Sequence, residues 1–568
     1  MFIQQMKDPA FWEKVRNNEV YAETVHTIVD MYEESTAKGI EELPFTMAAD
    51  FAISGDRKTG EEIYFRRRRA LASSALLSMI YPEEKAYFNT LQDYIFAVCN
   101  EYTWEVPAHI PNMIDYNPDD IDLFAAETGY CLSEIYTILE DRLDPLIKTR
   151  IKMEVERRII LPFSNYDRKF AWIGYHSNWA AVCGSGVAAA FMYLFPERFA
   201  LVKPRIEEAI NNFLLSYRES GYCYEGISYW EYGFGFFVCY AQMLYDFTNG
   251  KENLFDNEKV KAISSFPQKV FLSGNALVSF SDGNMNGRVA RGICHYLAKK
   301  FPDAVFPAPQ GVSCPIDLCG RWGIALRNLA WFDPSTEVVQ ETLSDYSLDA
   351  QWLIFRTPEY GFCAKGGCNW EAHNHNDVGS FVIATKGKQV FADIGAGEYT
   401  RQYFQDPYRY EYFNPSSRSH NVPILFGNYQ KVGRTHRADG TVYDGKTLSY
   451  DFASAYEIPE VTSLKRAFTP TVEGVTLVDE ITYAEGVTPK AGDYVERFVL
   501  TQKPTLTEGG FTAGGLTASF AGASAPTVTE HTYPIRTEIG EMPLETVYLV
   551  DFTVTDRKFT LTVSPQKK

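Results

Sequence analysis

The chain has 568 residues, a formal net charge of −19 and a pI near 5.1, with 45% hydrophobic and 22% charged residues. This composition is that of a globular protein with large cores, and the acidic pI argues against a nucleic-acid-binding protein. An acidic protein that binds a polyanion needs positive charge concentrated in its cleft, because a focused local field can oppose the net charge.

The N-terminal segment and the cysteines indicate a cellular location. The segment MFIQQMKDPAFWEKVRNN has no basic region followed by an apolar one, which is the pattern of a secretory signal. The ten cysteines are scattered, which predicts reduced core thiols. We therefore expect a cytoplasmic protein, or a secreted or periplasmic one if a signal has been trimmed. The sequence has no apolar run of about 18 residues, so we expect no membrane span. It is compatible with a homo-oligomer.

Residues 1–333 follow a helical pattern that is interrupted at prolines, glycines and asparagines. Successive helices with short connections form antiparallel hairpins, and many hairpins in a row predict an (α/α) toroid or solenoid. The predicted helices cover residues 8–32, 66–81, 83–102, 120–160, 178–195, 199–217, 227–247 and 288–301. Four arginines at 66–69 occupy successive helical positions and cannot all face one site, so we predict a solvated face there, with contact to a polyanion as the alternative.

Residues 334–568 change to alternating, β-rich segments, and the shift falls near Phe332-Asp333-Pro334-Ser335. The whole chain is therefore predicted to be an α+β multidomain protein whose second domain is an antiparallel β-sandwich. A Thr-, Gly- and Ala-rich tract over residues 505–527 indicates edge strands or an outer hairpin. The other predicted strands cover residues 352–356, 379–385, 390–394, 449–453, 475–481, 494–500, 546–553 and 559–563.

A histidine-rich segment precedes one of these strands. His373 and His375 are two residues apart, so on a strand both would point to the same face. Asp393 and His420 follow within fifty residues, and zinc accepts imidazole nitrogen and carboxylate oxygen as ligands. His375, Asp393 and His420 are therefore a candidate zinc site. Hydrogen-bonded structural histidines are the alternative, because no compact ligand pattern such as HExxH is present.

Two segments of the helical half carry further candidates. Asn178 precedes a helix of small residues, where it is either the N-cap or an amide that binds a substrate carboxylate. A later segment crowds tyrosines and glutamates at a helix start, and Tyr229 and Tyr232 share a helix face because they are three residues apart. Together with Tyr224 and Glu225, these tyrosines are equally compatible with a polar-aromatic cleft and with core packing.

The resemblance of the chain to a known family rests on both halves. In the β-rich half it is carried by His373-Asn374-His375-Asn376-Asp377-Val378-Gly379-Ser380-Phe381, Gly387, Asp393-Ile394-Gly395, Tyr399 and Ser416-Ser417-Arg418-Ser419-His420-Asn421, followed by Gly427 and Gln430. In the helical half it is carried by Tyr224-Glu225-Gly226-Ile227-Ser228-Tyr229-Trp230-Glu231-Tyr232-Gly233. Over most of its length the chain resembles the heparinase II/III-like polysaccharide lyases.

The resemblance implies an incomplete (α/α) toroid, an antiparallel β-sandwich and an active site between them. It implies zinc held by His375, Asp393 and His420, with a structural rather than a catalytic role. It also implies catalytic roles for Tyr229 and His373, while Asn178 grips the uronate carboxylate.

The positions expected to bind the glycan are His176, Trp179, Tyr224, Glu225, Tyr232 and Tyr399. One position departs from the family pattern. Some family members have a histidine directly after the asparagine, whereas this chain has Trp179. His176, two residues before Asn178, would substitute if the loop folds back.

The expected reaction is β-elimination on a uronic-acid glycan, which is an acidic polysaccharide or oligosaccharide. Neutralising the carboxylate makes the C5 proton acidic enough to leave, and an acid then protonates the departing O4. Heparin, heparan sulfate, chondroitin sulfate and hyaluronan are the expected substrates, and alginate is the alternative. Two other functions stay open: a glycoside hydrolase that uses Glu225 and Glu231, and a carbohydrate-binding protein without activity.

Overall fold

The computed structural model describes residues 1–110, 117, 120–301, 306–307, 314–338, 342–405, 407–535 and 543–566. Helices dominate as far as Ala330, and antiparallel sheets follow, so the α+β prediction is confirmed. In these ranges no helix is both long and apolar enough to cross a bilayer. All ten cysteines are described, none of them forms a disulfide bond, and eight are buried.

The predicted helices are present, with shifted ends. The predicted run over 8–32 is two helices, because Asn18 accepts a hydrogen bond from the N–H of Val20 and begins a second helix. The nine-residue helix that ends at Ala330 was not predicted. The longer helices are Pro9–Asn17, Glu19–Thr36, Lys58–Ile80, Lys85–Cys99, Leu123–Leu139, Pro145–Val155, Asn178–Leu194, Phe199–Ser216, Gly235–Phe247, Arg291–Lys300 and Trp322–Ala330. The shorter ones are Phe2–Lys7, Phe45–Ala48, Asp50–Ile53, Leu161–Ser164, Ile227–Tyr229, Glu258–Ser264 and Phe266–Val270.

The prediction that the four arginines form a solvated face is wrong, because Arg66, Arg67, Arg68 and Arg69 are all buried. Arg66, Arg67 and Arg68 are paired with carboxylates, and Arg69 donates to the backbone carbonyl of Leu318 at 2.7 Å. Arg68 forms two hydrogen bonds of 2.7 Å to the carboxylate of Glu101. Buried arginines are retained when they are paired in this way.

The strands form two large antiparallel sheets. In spatial order, the first contains Thr527–Pro534, Leu544–Thr553, Tyr494–Leu500, Lys388–Phe391, Phe381–Thr385, Gly361–Lys365, Trp352–Arg356 and Leu343–Ser347, and Ile424–Leu425 pairs with Tyr494–Leu500. The second contains Asp439–Tyr443, Leu448–Asp451, Val461–Thr471, Gly474–Tyr483, Lys558–Pro565, Leu516–Ala521, Gly510–Ala513 and Thr505–Thr507. Of the tract over 505–527, Thr505–Thr507 is an edge strand of the second sheet, whereas Gly510–Ala513 and Leu516–Ala521 lie inside it.

The two large sheets share one hydrophobic core. Phe381 of the first sheet packs against Phe468 of the second, with ring centroids 5.4 Å apart. The side of the first sheet that faces the helices belongs to another core, where Trp352 packs edge-on against Tyr222 at 5.6 Å and Phe280 at 5.1 Å. This packing fixes the helical part against the β part and so holds the loops of both around one cleft.

Candidate active site

A cavity of about 880 Å³ is lined by residues of both parts of the chain. Its lining has five basic side chains against three acidic ones, so it is locally positive in a chain of net charge −19. This is the local field that a polyanion needs for binding to an acidic protein. The basic residues are Arg57, Lys58, Arg321, Arg401 and Arg409, and the acidic ones are Glu61, Glu371 and Glu398.

Asn178 and Trp179 form part of the helical wall of the cavity. Ser177, not Asn178, is the N-cap of the helix Asn178–Leu194, so the N-cap prediction is wrong. Asn178 is the first helical residue, and its side chain belongs to the cavity lining. Gly233 packs closely beneath it, since a Cβ atom there would lie 3.1 Å from the Cβ of Asn178.

Tyr229 and Tyr232 lie on the same wall. The short helix Ile227–Tyr229 runs into a π-helical turn over Trp230–Phe234, a distortion that is frequent at functional sites. The Tyr232 hydroxyl donates a 2.5 Å hydrogen bond to Glu127. Burial raises the pKa of Glu127 to about 7, although the charge of Arg321 and this hydrogen bond oppose the shift.

His373 faces Tyr229 from the β side of the cavity, with ring centroids 4.5 Å apart. The segment around His373 is a loop, and His373 has a φ of 53°, which is uncommon for a residue other than glycine. The Tyr229 hydroxyl lies 3.1 Å from that of Tyr399. The structure therefore brings Tyr229, His373 and Tyr399 together.

Asp282 connects the cleft to the candidate metal site, and its role was not predicted. Its carboxylate is 2.7 Å from His373 Nδ1 and 3.0 Å from His375 Nε2. It also accepts hydrogen bonds from the Tyr399 hydroxyl at 3.0 Å and from Arg409 at 2.9 Å. The sequence predicted that the two histidines would point to one face of a strand. Instead, both imidazoles contact the carboxylate of Asp282.

The charge of Asp282 affects both imidazoles. Burial would raise the pKa of Asp282, but hydrogen bonds from His373 and His375 and the charge of Arg409 hold it well below its usual range. Burial would lower the pKa of His373, but the bond to Asp282 outweighs it and raises that pKa. For His375 burial prevails over Asp282, and the pKa falls. His375 is therefore favoured as a neutral imidazole, which is the form that binds metals.

The residues His375, Asp393 and His420 fit a metal ion. One ligand atom of each lies within 4.8 Å of the others, and all three side chains are fully buried. His375 Nδ1, Asp393 Oδ2 and both ring nitrogens of His420 lack a hydrogen-bond partner, although His420 Nδ1 and Asp393 Oδ2 are 3.1 Å apart. Orphaned buried donors and acceptors of this kind are rare in a folded protein, and zinc accepts this ligand set.

Four of the predicted candidates do not line the cavity. His176 is exposed, and the Tyr224 hydroxyl donates to the backbone carbonyl of Asp349 at 2.8 Å. Burial raises the pKa of Glu225, and the charge of His373 opposes the shift. Glu231 accepts the N–H of Ala290 at 2.5 Å. Of the predicted glycan-binding residues, Trp179, Tyr232 and Tyr399 do line the cavity.

Comparison with known proteins gives the fold. No family model matches the sequence, and no curated protein matches it significantly. Among solved structures, one titled "Crystal Structure of Heparinase III" matches with a TM-score of 0.60 at 14% identity, over 96% of this chain and 92% of that one. The chain has a polysaccharide-lyase fold.

Two further structures have this fold. A mutant of heparan sulfate lyase HepC from Pedobacter heparinus matches with a TM-score of 0.59 at 13% identity, over 98% of this chain and 91% of that one. Chondroitin AC lyase of Streptomyces coelicolor A3, in complex with chondroitin sulphate, matches with a TM-score of 0.54 at 9% identity, over 100% of this chain and 83% of that one. The resemblance seen in the sequence is thus confirmed at the level of the fold.

Proposed function

We propose that this protein is a lyase that cleaves uronic-acid-containing glycosaminoglycans by β-elimination. One observation carries the proposal: Tyr229 and His373 face each other at 4.5 Å in a positively lined cavity that also contains Asn178. The fold shared with heparinase III and chondroitin AC lyase supports it.

The chemistry assigns a role to each of the three residues. The Asn178 amide donates to the uronate carboxylate and stabilises the charge that develops when C5 loses its proton. One of Tyr229 and His373 removes the C5 proton, and the other protonates the leaving O4. The Asp282 carboxylate, bonded to His373 Nδ1, holds that imidazole in place.

The surface of the cavity supports a glycosaminoglycan as the substrate. Trp370 and Phe404 line it and are 46% and 51% exposed, so they offer faces for sugar rings. The exposed Arg401 supplies donors for carboxylate or sulfate groups. The names of the similar structures include heparan sulfate and chondroitin sulphate, and both glycans contain uronic acids.

A hydrolytic mechanism is less well supported. It requires two carboxylates on either side of the scissile bond, about 5–9.5 Å apart. The candidates Glu225 and Glu231 do not line the cavity, and Glu231 is occupied by the N–H of Ala290. Of the carboxylates that do line the cavity, Glu61 is paired with Arg57 and Glu371 with Lys365. Elimination uses Tyr229 and His373, which face each other in the cavity.

The proposal includes several finer points. The helical part would be an incomplete (α/α) toroid and the β part a sandwich, as the resemblance implies. Zinc on His375, Asp393 and His420 would have a structural role and would fix the loop that carries His373. A cytoplasmic location and a homo-oligomeric state belong to the same proposal.

The test is a screen of the purified protein against heparin, heparan sulfate, chondroitin sulfate, hyaluronan and alginate. Elimination creates a C4–C5 double bond, so ultraviolet absorbance should rise with at least one glycosaminoglycan. Tyr229→Phe should abolish the rise. Reducing ends without new absorbance would indicate hydrolysis and contradict the proposal, and activity on alginate alone would reassign the substrate.

A further inference from the structure

A second histidine lies on the helical wall of the cavity. His109 ends the short helical turn Pro107–His109, and its Nδ1 is 2.7 Å from Oδ2 of Asp122. The Asp122 carboxylate is itself fixed, because its Oδ1 accepts the N–H of Ala125 at 2.6 Å as the N-cap of the helix Leu123–Leu139. His109 and Asp122 thus form a rigid pair at a helix start.

Aromatic packing fixes the orientation of this imidazole. The His109 ring lies 4.8 Å from that of Trp179 and stacks on Phe124 at 5.6 Å. Nδ1 is engaged by Asp122, so Nε2 is the remaining polar atom of a ring that lines the cavity. No residue in the described part of the chain hydrogen-bonds Nε2.

The cavity therefore has an aspartate–histidine pair on each wall, Asp122–His109 on the helical side and Asp282–His373 on the β side. A carboxylate bonded to Nδ1 fixes the orientation of the imidazole. Nε2 of His109 is then the ring atom that can meet an anion in the cavity, as an N–H donor when the ring carries both protons.

Resting on the proposed function, we infer that His109 binds the uronate carboxylate together with Asn178. Trp179 stands directly after Asn178, and its ring packs against His109. His109 thus places an imidazole beside Trp179 from a separate segment of the chain. Asp122 acts as the positioning residue of His109. The exposed His176 is not needed for this role.

The experiment compares His109→Ala and His109→Gln with the control His176→Ala, which removes an exposed histidine two residues before Asn178. Binding of a heparan sulfate tetrasaccharide and of its carboxyl-reduced form is measured by calorimetry, and turnover by absorbance. We expect the wild type to prefer the carboxylated form. His109→Ala should lose most of that preference and about 100-fold in kcat/KM, the size of effect known for removal of one charge-stabilising donor. His109→Gln, which keeps an N–H donor, should recover part of both, and His176→Ala should behave as the wild type.

Two results would overturn the inference: a wild type without preference for the carboxylated form, or a folded His109→Ala that keeps both the preference and full turnover. If His109→Ala does not fold, His109→Gln decides by the same two measurements. A wild type that shows the preference but forms no unsaturated product would overturn the proposed lyase activity. In that case the binding comparison alone would decide the role of His109.

Discussion

Nδ1 of His373 lies 2.7 Å from Oδ2 of Asp282, although 91 positions separate the two residues in the chain. The other oxygen of the same carboxylate is 3.0 Å from His375 Nε2. One buried side chain therefore orients both an imidazole that faces the cleft and an imidazole of the candidate metal site. Partners of this kind tune metal ligands and catalytic groups alike.

We expect Asp282→Asn to lower turnover by about 10- to 100-fold, as is common for partners that orient a functional imidazole. It should also lower the melting temperature, because Arg409 would lose the charge it pairs with. Tyr403→Phe is the matched control, since it removes one hydrogen bond to the same carboxylate and leaves its charge. An Asp282→Asn protein as active as this control would contradict the role of Asp282.

Two variants of the histidine segment should separate metal binding from catalysis. His375→Ala removes a buried ligand atom, so we expect loss of bound zinc and a lower melting temperature as well as loss of turnover. His373→Ala should abolish turnover while zinc content and melting temperature stay near those of the wild type. Metal analysis, circular dichroism and absorbance measure the three quantities. A His373→Ala protein with full turnover would refute its assignment.

The sequence predicted those parts of the fold and site that depend on local patterns. The strands Trp352–Arg356 and Tyr494–Leu500 were predicted to the residue, because alternation and turn residues mark their ends. The structure also gathers His375, Asp393 and His420, which was the set chosen from residue type and strand context.

Long-range pairing could not be predicted in the same way. Asp282 lies on an irregular loop, so no periodicity pointed to the two histidines that it joins. Successive helical positions predict a solvated face for the four arginines, and no local pattern shows that Glu101, the partner of Arg67 and Arg68, lies more than thirty residues away. The N-cap was one of two alternatives for Asn178, because residue type alone does not distinguish it from Ser177.

Gly233→Ala should disturb the cleft from beneath Asn178. A Cβ atom at this position would lie 2.8 Å from the ring of Phe213 and 3.1 Å from the Cβ of Asn178, so one of them must move. Overpacking of this kind costs about 1–3 kcal/mol, and a shift of about 1 Å near the reaction can lower activity 100-fold. The control is Gly174→Ala, where a Cβ atom would meet no atom within 4 Å. Equal turnover in both variants would show that Gly233 does not position Asn178.

Glu127 should make the stability of the protein depend on pH. Burial raises its pKa from the model-peptide value of 4.5 to about 7, so the folded protein binds a proton that the unfolded chain releases between these values. The resulting stabilisation is fully present below pH 4.5 and is lost as the pH rises through about 7. A pKa shift of this size changes the free energy of unfolding by about 3 kcal/mol.

Glu127→Gln removes this ionisation and keeps an acceptor for the Tyr232 hydroxyl. Relative to the wild type, the variant should therefore gain stability between pH 5 and pH 8, measured as the free energy of unfolding in urea at each pH. Glu62→Gln on the neighbouring helix is the control for the removal of one negative charge, because that carboxylate is 41% exposed. Parallel curves for Glu127→Gln and the wild type would show that the buried carboxyl does not titrate in this range.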